Sequence, residues 1–226
     1  MERLSAIPEA VARFREEYRR EVLPKNYSGI RHLIISNSIG LGTMALCLSR
    51  LENVRWWEWM IVPAGFLIGN YGEYHFHRGP MHHKTKCLEA GFLRHTVRHH
   101  HFYRHDAMAA ESTQDYHMVL FPWWFLVVVI VVFGVPLALA AGFTVSSNAG
   151  WLLLFTITAY YLNYEWLHLA YHLPEDSWLR KLPFMNTLRQ MHTRHHDPTL
   201  MHRWNFNITY PVFDWIYGTW KRGQES

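Results

Sequence analysis

The longest uncharged stretch of this chain constrains its fold more than any other feature. Residues Met118 to Phe143 include no ionisable side chain in 26 positions. A helix of that length, rising about 1.5 Å per residue, exceeds the roughly 30 Å hydrocarbon core of a bilayer. The stretch therefore predicts a transmembrane helix, even though the mean hydropathy of the whole chain is only −0.13.

Three further apolar blocks cover residues 33–48, 56–72 and 149–167, and the last contains a single charged side chain, Glu165, near its end. We expect Asn148, Ala149 and Gly150 to form the turn between the third and fourth blocks. The four blocks predict an all-α fold: an integral membrane four-helix bundle of two transmembrane hairpins, with a histidine-rich helical cap on the cytoplasmic side. A large helical core of a soluble protein is the alternative.

The distribution of lysine and arginine orients this bundle. If both hairpins return to the starting side, that side carries every one of the 22 Lys and Arg residues except Arg50 and Arg55. Because Lys and Arg accumulate in cytoplasmic loops, both termini and residues 73–117 are expected to be cytoplasmic in a multi-pass membrane protein. The same pattern accounts for the net charge of +4, so no nucleic-acid partner is expected.

Residues 1–29 alternate charged and apolar side chains, which predicts an amphipathic cytoplasmic segment before a membrane domain over residues 30–226. A basic amphipathic helix either lies on the membrane surface or packs against neighbouring loops, and both alternatives are open. The segment does not have the apolar core of a cleavable signal peptide. The two cysteines, Cys47 and Cys87, are too few for a disulfide-rich secreted scaffold and favour a reducing compartment.

The 17 histidines concentrate after the second and fourth apolar blocks. Each half of the chain supplies a pair of histidines at the end of a block and then a second cluster of them. Ten imidazoles are too many for one ion and suit two, so we expect about two ions per chain. The ten candidate metal ligands are His77, His82, His95, His99, His100, His168, His172, His192, His195 and His196.

Helical spacing indicates which of these histidines can face one ion. His168 and His172 are four residues apart and share a helix face, and the same spacing pairs His95 with His99. The three histidines within residues 192–196 also lie on one face.

His77 and His82 are five residues apart, which places them about 140° apart on a regular helix of 3.6 residues per turn. They can converge only if Gly79 and Pro80 break the helix.

The remaining histidines are not among the ten candidate metal ligands. Those interpreted as ordinary structural side chains are His32, His117 and His202. Those that adjoin the clusters, and could each replace a chosen ligand, are His75, His83, His101 and His105. Carboxylates are expected to orient the imidazoles, and the available ones are Glu73, Glu165, Asp106, Asp176, Asp197 and Asp214. Asp197, directly after His196, is the first candidate, with a role at the helix end or in solvent as its alternative.

These motifs resemble the fatty acid hydroxylase/sterol desaturase superfamily of integral-membrane, histidine-rich di-metal oxygenases. The resemblance extends from about Tyr71 to the tail. In much of the family the second motif is His-x-x-His-His, whereas here it is His95-x-x-x-His99-His100 followed by His101. The matching segments are His77-Arg78 to His82, His95 to His100, His168-Leu-Ala-Tyr-His172, His192-Thr-Arg-His195-His196, Trp204-Asn205-Phe206-Asn207 and Asp214-Trp215-Ile-Tyr-Gly218-Thr219.

The resemblance implies a membrane-bound di-iron enzyme that uses O2 to hydroxylate or desaturate a lipid substrate, such as a fatty acyl chain or a sterol. Two iron ions are the implied cofactors, with zinc able to replace them in isolated protein, and no catalytic residue beyond the metal ligands is implied. We expect no fused b-type cytochrome domain at either end. The expected partners are therefore membrane lipids and a separate electron donor, either a ferredoxin or a b-type cytochrome.

Three other functions are alternatives at this stage. A carotenoid ring hydroxylase is a near relative in motif. A membrane haem protein would use only a few histidines within the spans and leave most of the clusters idle. A metal transporter or storage protein would carry ligands deep within the apolar blocks, which contain almost none.

Overall fold

The computed structural model describes residues 7–221, and this part of the chain is helical with no strand. Short 3-10 turns cover Trp56–Met60, Thr113–Asp115 and Trp178–Lys181, and π-helical turns cover His77–Met81, Leu93–His99 and Val129–Gly134. The α-helices are α1 (Glu9–Glu21), α2 (Gly29–Ser49), α3 (Ile61–Phe76), α4 (Glu89–Phe92), α5 (His100–Phe102), α6 (Tyr116–Val119), α7 (Trp123–Val128), α8 (Val135–Thr144), α9 (Ser147–Tyr171), α10 (Met185–His195) and α11 (Val212–Ile216).

Helix α9 is the centre of the bundle, because α2, α3 and α8 all pack against it. Helices α3 and α9 both end where the histidine motifs begin, at Phe76 and Tyr171. We call this end of the bundle the histidine end. The other end, where α2 and α8 finish, is called the opposite end. The first two apolar blocks are therefore neighbours of α9, and the all-α prediction is confirmed over the described residues.

Helices α8 and α9 form a close antiparallel pair. A Cβ atom added at Gly150 would lie 2.6 Å from the carbonyl oxygen of Ala138, so only glycine permits this approach. The turn between the helices is residues 145–146, and the predicted Asn148–Gly150 segment instead lies in the first turn of α9. Ser146 causes this earlier start, because its hydroxyl oxygen caps α9 by accepting the N–H of Ala149 at 3.1 Å.

Two apolar segments are long enough to cross a membrane by length and composition, Gly29–Ser49 and Thr113–Thr144. The second is interrupted by Pro122, after which α7 begins. The two segments indicate membrane association.

Helix α1 packs against the loop that follows the second histidine motif, which is the second of the two alternatives for the amphipathic segment. Tyr18 joins a buried cluster with Phe102, Tyr103, Met118 and Leu169. The buried face of α1 is formed by Val11, Arg15 and Tyr18, at positions i, i+4 and i+7 of one helix stripe. The arginine in this stripe is completely buried.

Candidate metal centre

The ten predicted histidines come together as two buried groups of five. Within each group, one ring nitrogen of every histidine lies within 4.8 Å of the others. Across residues 7–221, no other histidine belongs to either group. Cluster 1 is His77, His82, His95, His100 and His195, and cluster 2 is His99, His168, His172, His192 and His196.

Two π-helical turns decide how the first half of the chain is divided between the clusters. The turn His77–Met81 brings His77 and His82 to one side without ending the helix at Gly79 and Pro80, contrary to the expected break. In the same way, the π-helical turn Leu93–His99 pairs His95 with His100 in cluster 1. A turn with i→i+5 bonding aligns residues five apart rather than four. The predicted pairing of His95 with His99 is therefore wrong.

The second half of the chain follows ordinary α-helical spacing. His168 and His172, on the last turns of α9, both belong to cluster 2. Helix α10 lies between the clusters, because His192 and His196 face cluster 2 while His195 faces cluster 1. One helix thus supplies ligands to both groups, so the expectation that its three histidines face a single ion is wrong.

In cluster 1, the outer ring nitrogens are held by neighbouring acceptors. His77 Nδ1 donates to the carbonyl of Phe206, and His195 Nδ1 donates to that of Trp204 at 3.0 Å. A carbonyl has no proton to donate, so each Nδ1 carries the hydrogen and each Nε2 presents a lone pair to the cluster.

His82 is oriented in the same way, with Thr96 as the acceptor of its Nδ1 hydrogen. The Thr96 hydroxyl donates to the Met81 carbonyl at 2.6 Å, so its oxygen is left to accept from His82 Nδ1 at 3.3 Å. The Nε2 atom of His82 therefore also points its lone pair inward.

Cluster 2 has the same inward orientation from different acceptors. His99 Nδ1 donates to the Met118 carbonyl at 3.1 Å, and His172 Nδ1 to the Met108 carbonyl at 3.0 Å. His196 Nδ1 donates to the carbonyl of Tyr103. All three acceptors lie within residues 103–118, the segment that contacts α1.

The inward nitrogens of cluster 1 form a centre suited to a cation. The Nε2 lone pairs of His82 and His195 face each other at 2.9 Å, and the Nε2 atoms of His77 and His95 lie 2.7 Å apart. Burial lowers the pKa of His77 to about 4, so its imidazole is neutral near pH 7. Neutral inward imidazoles are ligands for iron, zinc or copper.

The other nine cluster histidines have pKa values lowered by burial in the same direction. Three of the ten, His100, His168 and His192, have a buried Nδ1 without a hydrogen-bond partner among residues 7–221. The donor sets of both clusters fit one transition-metal ion each.

The two carbonyl acceptors of cluster 1 belong to the C-terminal segment 204–219, which is held by two carboxylates. Asp214 accepts the N–H groups of Phe206 at 2.9 Å and Asn207 at 2.7 Å. Glu73, one helical turn before His77, accepts the N–H of Thr209 at 3.0 Å. These carboxylates fix the backbone that orients His77, rather than touching an imidazole themselves.

Two of the three acceptors of cluster 2 are held through neighbouring residues by Arg15 of α1. Its Nε donates to the carbonyl of Phe102 at 2.9 Å, and one terminal nitrogen donates to that of Ala107 at 2.6 Å. These residues directly precede Tyr103 and Met108, whose carbonyls orient His196 and His172. A single buried guanidinium therefore positions two cluster 2 ligands through the backbone.

The sequence offered little indication of these supports. Asp197, the first candidate for orienting an imidazole, accepts the N–H of Thr199 at 2.8 Å and its hydroxyl at 2.7 Å, which fits its alternative role at a helix end. Backbone carbonyl acceptors leave no side-chain signal. Arg15 was detectable in principle, as a charged residue on the apolar stripe of α1.

Two of the histidines interpreted as structural have local partners. His32 Nε2 contacts the Phe121 carbonyl at 2.9 Å, and His117 Nδ1 contacts the Tyr18 hydroxyl at 2.6 Å. Those left ambiguous lie outside both clusters: His75, His83, His101 and His105.

An apolar groove leads from the side of the bundle to cluster 1. It has a volume of about 370 Å³ and runs between α3, α9 and the helices from Trp123 to Thr144. The exposed side chains of Ile68 and Phe133 lie at its outer part, and His77 and Met81 at its inner end. Its lining is almost wholly apolar, which suits a hydrocarbon.

A small chamber of about 30 Å³ continues the groove between the two clusters. Groove and chamber share Phe76, Met81, Phe121 and Tyr164 in their linings. The chamber is also lined by ligands of both groups: His95 of cluster 1, and His99 and His168 of cluster 2. It has room for about one methylene group or one small molecule.

The sequence model of the family described as fatty acid hydroxylase matches residues 62–219, which include all ten cluster histidines. The chain belongs to the fatty acid hydroxylase family. Membership confirms the resemblance to the fatty acid hydroxylase/sterol desaturase superfamily, and implies an oxidoreductase of the hydroxylase type. This family is membrane-bound and metal-dependent, in agreement with the apolar helices and the buried clusters.

A solved structure described as full-length Scs7p, with only the hydroxylase domain visible, is similar in fold. The TM-score is 0.55 at 19% sequence identity, and the match covers 85% of this chain and 66% of that one. The chain thus spans slightly less than two thirds of that protein's length. No curated protein matches this chain.

Proposed function

We propose that this protein is an O2-dependent di-iron oxygenase that hydroxylates a carbon of a lipid acyl chain. The observation that carries the proposal is the continuous path from the apolar groove to a chamber lined by ligands of both clusters. A hydrocarbon chain in this path would present a carbon between the two ions.

The size of the chamber supports an acyl chain over a ring substrate. A chamber of only about 30 Å³ favours a thin acyl chain over the rigid rings of a sterol or carotenoid. Desaturation begins with the same removal of hydrogen, and we favour hydroxylation because the family is one of hydroxylases.

The residues of the site have distinct roles in this proposal. Five histidines of each cluster hold one iron ion, with zinc able to replace iron in isolated protein. When bound, an iron pair supplies O2 activation strong enough to remove hydrogen from an unactivated carbon. Phe76, Met81, Phe121 and Tyr164 hold the chain and exclude water where groove and chamber meet.

The alternatives without oxygenase activity have less support. Haem would need a wide planar space between two axial histidines, whereas the rings of His77 and His95 lie with centroids 4.5 Å apart. A transporter would carry ligands inside the spans, whereas both clusters lie at the histidine end.

The proposal includes the membrane topology. All four apolar blocks cross the bilayer, and the histidine end and both termini face the cytoplasm, because that arrangement places nearly all Lys and Arg on one side. Electrons come from a separate ferredoxin or b-type cytochrome. The groove then opens to the lipid, while the clusters remain accessible to a soluble donor.

Lipid mass spectrometry of cells that express the protein tests the reaction. We expect a lipid heavier by one oxygen atom with the wild type, and none with His195→Ala or His172→Ala at equal membrane expression. A ring-hydroxylated product, or a product that forms without O2, would contradict the proposal.

A groove variant tests the substrate path separately. A Cβ atom at Gly72 meets open space within the groove, so Gly72→Leu should obstruct it without disturbing the packing, and lower product formation about tenfold. Gly42→Leu is the matched control, because Gly42 also faces open space but lies outside the groove. Equal activity of both variants would exclude the groove as the route.

A further inference from the structure

Cluster 1 lies close to solvent on the side formed by two exposed histidines. The ring of His202 has its centroid 5.5 Å from that of His82, a cluster 1 ligand. The ring of His83 lies 6.1 Å from that of His202. Both His83 and His202 are exposed, whereas His82 is buried. One aromatic ring therefore separates cluster 1 from water.

Trp204, two residues further along, provides a second contact with cluster 1. Its carbonyl oxygen accepts His195 Nδ1 at 3.0 Å. Its ring is flanked by two cations, with the Arg203 guanidinium 5.1 Å and the Lys221 ammonium 5.8 Å from the ring centroid. We call His83, His202, Arg203, Trp204 and Lys221 the His202 surface.

The His202 surface carries two cations that make no direct ion pair. Within residues 7–221, neither Arg203 nor Lys221 has an ion pair closer than 4.0 Å. Asp197 lies near Lys221 but directs its hydrogen bonds to Thr199, and Asp214 is buried against backbone N–H groups. A partner with acidic groups would find two cations without ion-pair partners beside a half-buried tryptophan.

Hydroxylation requires an electron supply at such a surface. Insertion of one oxygen atom from O2 into a C–H bond consumes two electrons and two protons, and the second oxygen atom leaves as water. The groove occupies the His77 and Met81 side of cluster 1, whereas His202 contacts His82 from solvent. Substrate and donor therefore need not compete for one entrance.

We propose that the His202 surface docks an acidic, one-electron carrier protein, which delivers electrons one at a time to the ion in cluster 1. The inference rests on the proposed function, because it is the proposed hydroxylation that requires electrons. The rings of His202 and Trp204 bring the carrier's redox group near His82 and His195 without exposing those ligands. Arg203 and Lys221 supply the attraction that orients the carrier.

Charge reversal tests the surface, with reduced, acidic [2Fe–2S] ferredoxin as the probe. In iron-loaded protein, we measure the rate at which ferredoxin reduces the bound iron, and separately reduction by dithionite with methyl viologen. Arg203→Glu with Lys221→Glu should lower the ferredoxin rate at least tenfold at low salt and remove its salt dependence. Reduction by dithionite and iron content should not change. The matched control is Arg20→Glu with Lys25→Glu, which changes the net charge equally at exposed positions away from cluster 1.

An unchanged ferredoxin rate, or an equal decrease in the control, would overturn the docking surface. If the charge-reversed protein loses iron, the milder variant Arg203→Gln with Lys221→Gln is tested instead. An unchanged salt dependence of the ferredoxin rate in that variant would also overturn the docking surface. Iron reduction is measured without lipid, so the two proposals fail separately. A salt-dependent ferredoxin rate without any lipid product would contradict the proposed hydroxylation but support the His202 surface.

Discussion

Clusters 1 and 2 contain five histidines each but depend on opposite ends of the chain. His77 and His195 of cluster 1 are oriented by carbonyls of the C-terminal segment 204–219, which Asp214 holds in place. Cluster 2 is oriented by carbonyls of residues 103–118, two of them beside the residues that Arg15 of α1 holds. The two sites share α10 and one chamber, yet their supporting contacts are separate, so each should be damaged without the other.

Substitution of a ligand should have the largest effect. His195→Ala should abolish activity and reduce bound iron from about two ions to about one per chain, lost from cluster 1. His172→Ala should do the same at cluster 2, because each alanine removes a ligand from one group only. Metal analysis with Mössbauer spectroscopy of the purified variants checks this. Loss of both ions from either single variant would show that the clusters are not independent.

Arg15→Lys should weaken cluster 2 selectively. Lysine cannot reproduce the fork that reaches the carbonyls of Phe102 and Ala107, so we expect the affinity of one ion to fall about 10- to 100-fold. Chelator titration of the two ions measures this difference. Arg20→Lys, on the exposed side of the same helix, is the control and should have no effect. A loss of affinity at both clusters would point to general damage by the Arg15 variant.

Asp214→Asn should weaken cluster 1 by a smaller factor, about tenfold. The amide keeps one acceptor oxygen but turns its NH2 group toward either Phe206 N–H or Asn207 N–H, which loosens the segment that orients His77. The same chelator titration applies, with cluster 2 expected to remain unchanged. If cluster 2 loses its ion first, the assignment of supports to clusters is incorrect.

Mild acid should lower the stability of the metal-free protein. Histidine in the unfolded chain gains protons below a pKa of about 6.5, whereas burial keeps the folded cluster histidines neutral, His77 down to about pH 4. The unfolded state therefore binds more protons between these values, and the metal-free protein loses stability as the pH falls below about 6.5. Thermal unfolding in detergent at pH 7.5, 6.5 and 5.5 should show this decrease. A melting temperature independent of pH would mean that these imidazoles are not neutral and buried.

Single cysteine substitutions that map the topology should leave activity unchanged. Both clusters face one compartment only if the chain crosses the membrane an even number of times between His100 and His168. In a Cys87→Ser background, a cysteine at Lys25 should react with an impermeant reagent from the cytoplasmic side. A cysteine at Glu52, at the opposite end, should react from the other side. Labelling of both cysteines from the same side would contradict the four-span arrangement.

The sequence by itself determined the composition of the site. Uncharged blocks predicted an all-helical fold, and the clustering of histidines after two of them selected the ten side chains that the structure brings together. This succeeded because hydrophobic length and residue type are local properties. Spacing of four also placed His168 and His172 correctly on one side of α9, because that helix is regular.

Only the tertiary structure decided how the ten histidines are divided. The π-helical turns at His77–Met81 and Leu93–His99 align residues five apart, and a sequence read at α-helical spacing pairs the wrong ones. The orienting acceptors are mostly backbone carbonyls, which every residue possesses, so their selection depends on packing. Arg15 and His196 are likewise linked only through a loop that folding brings between them, since no local pattern connects positions so far apart in the chain.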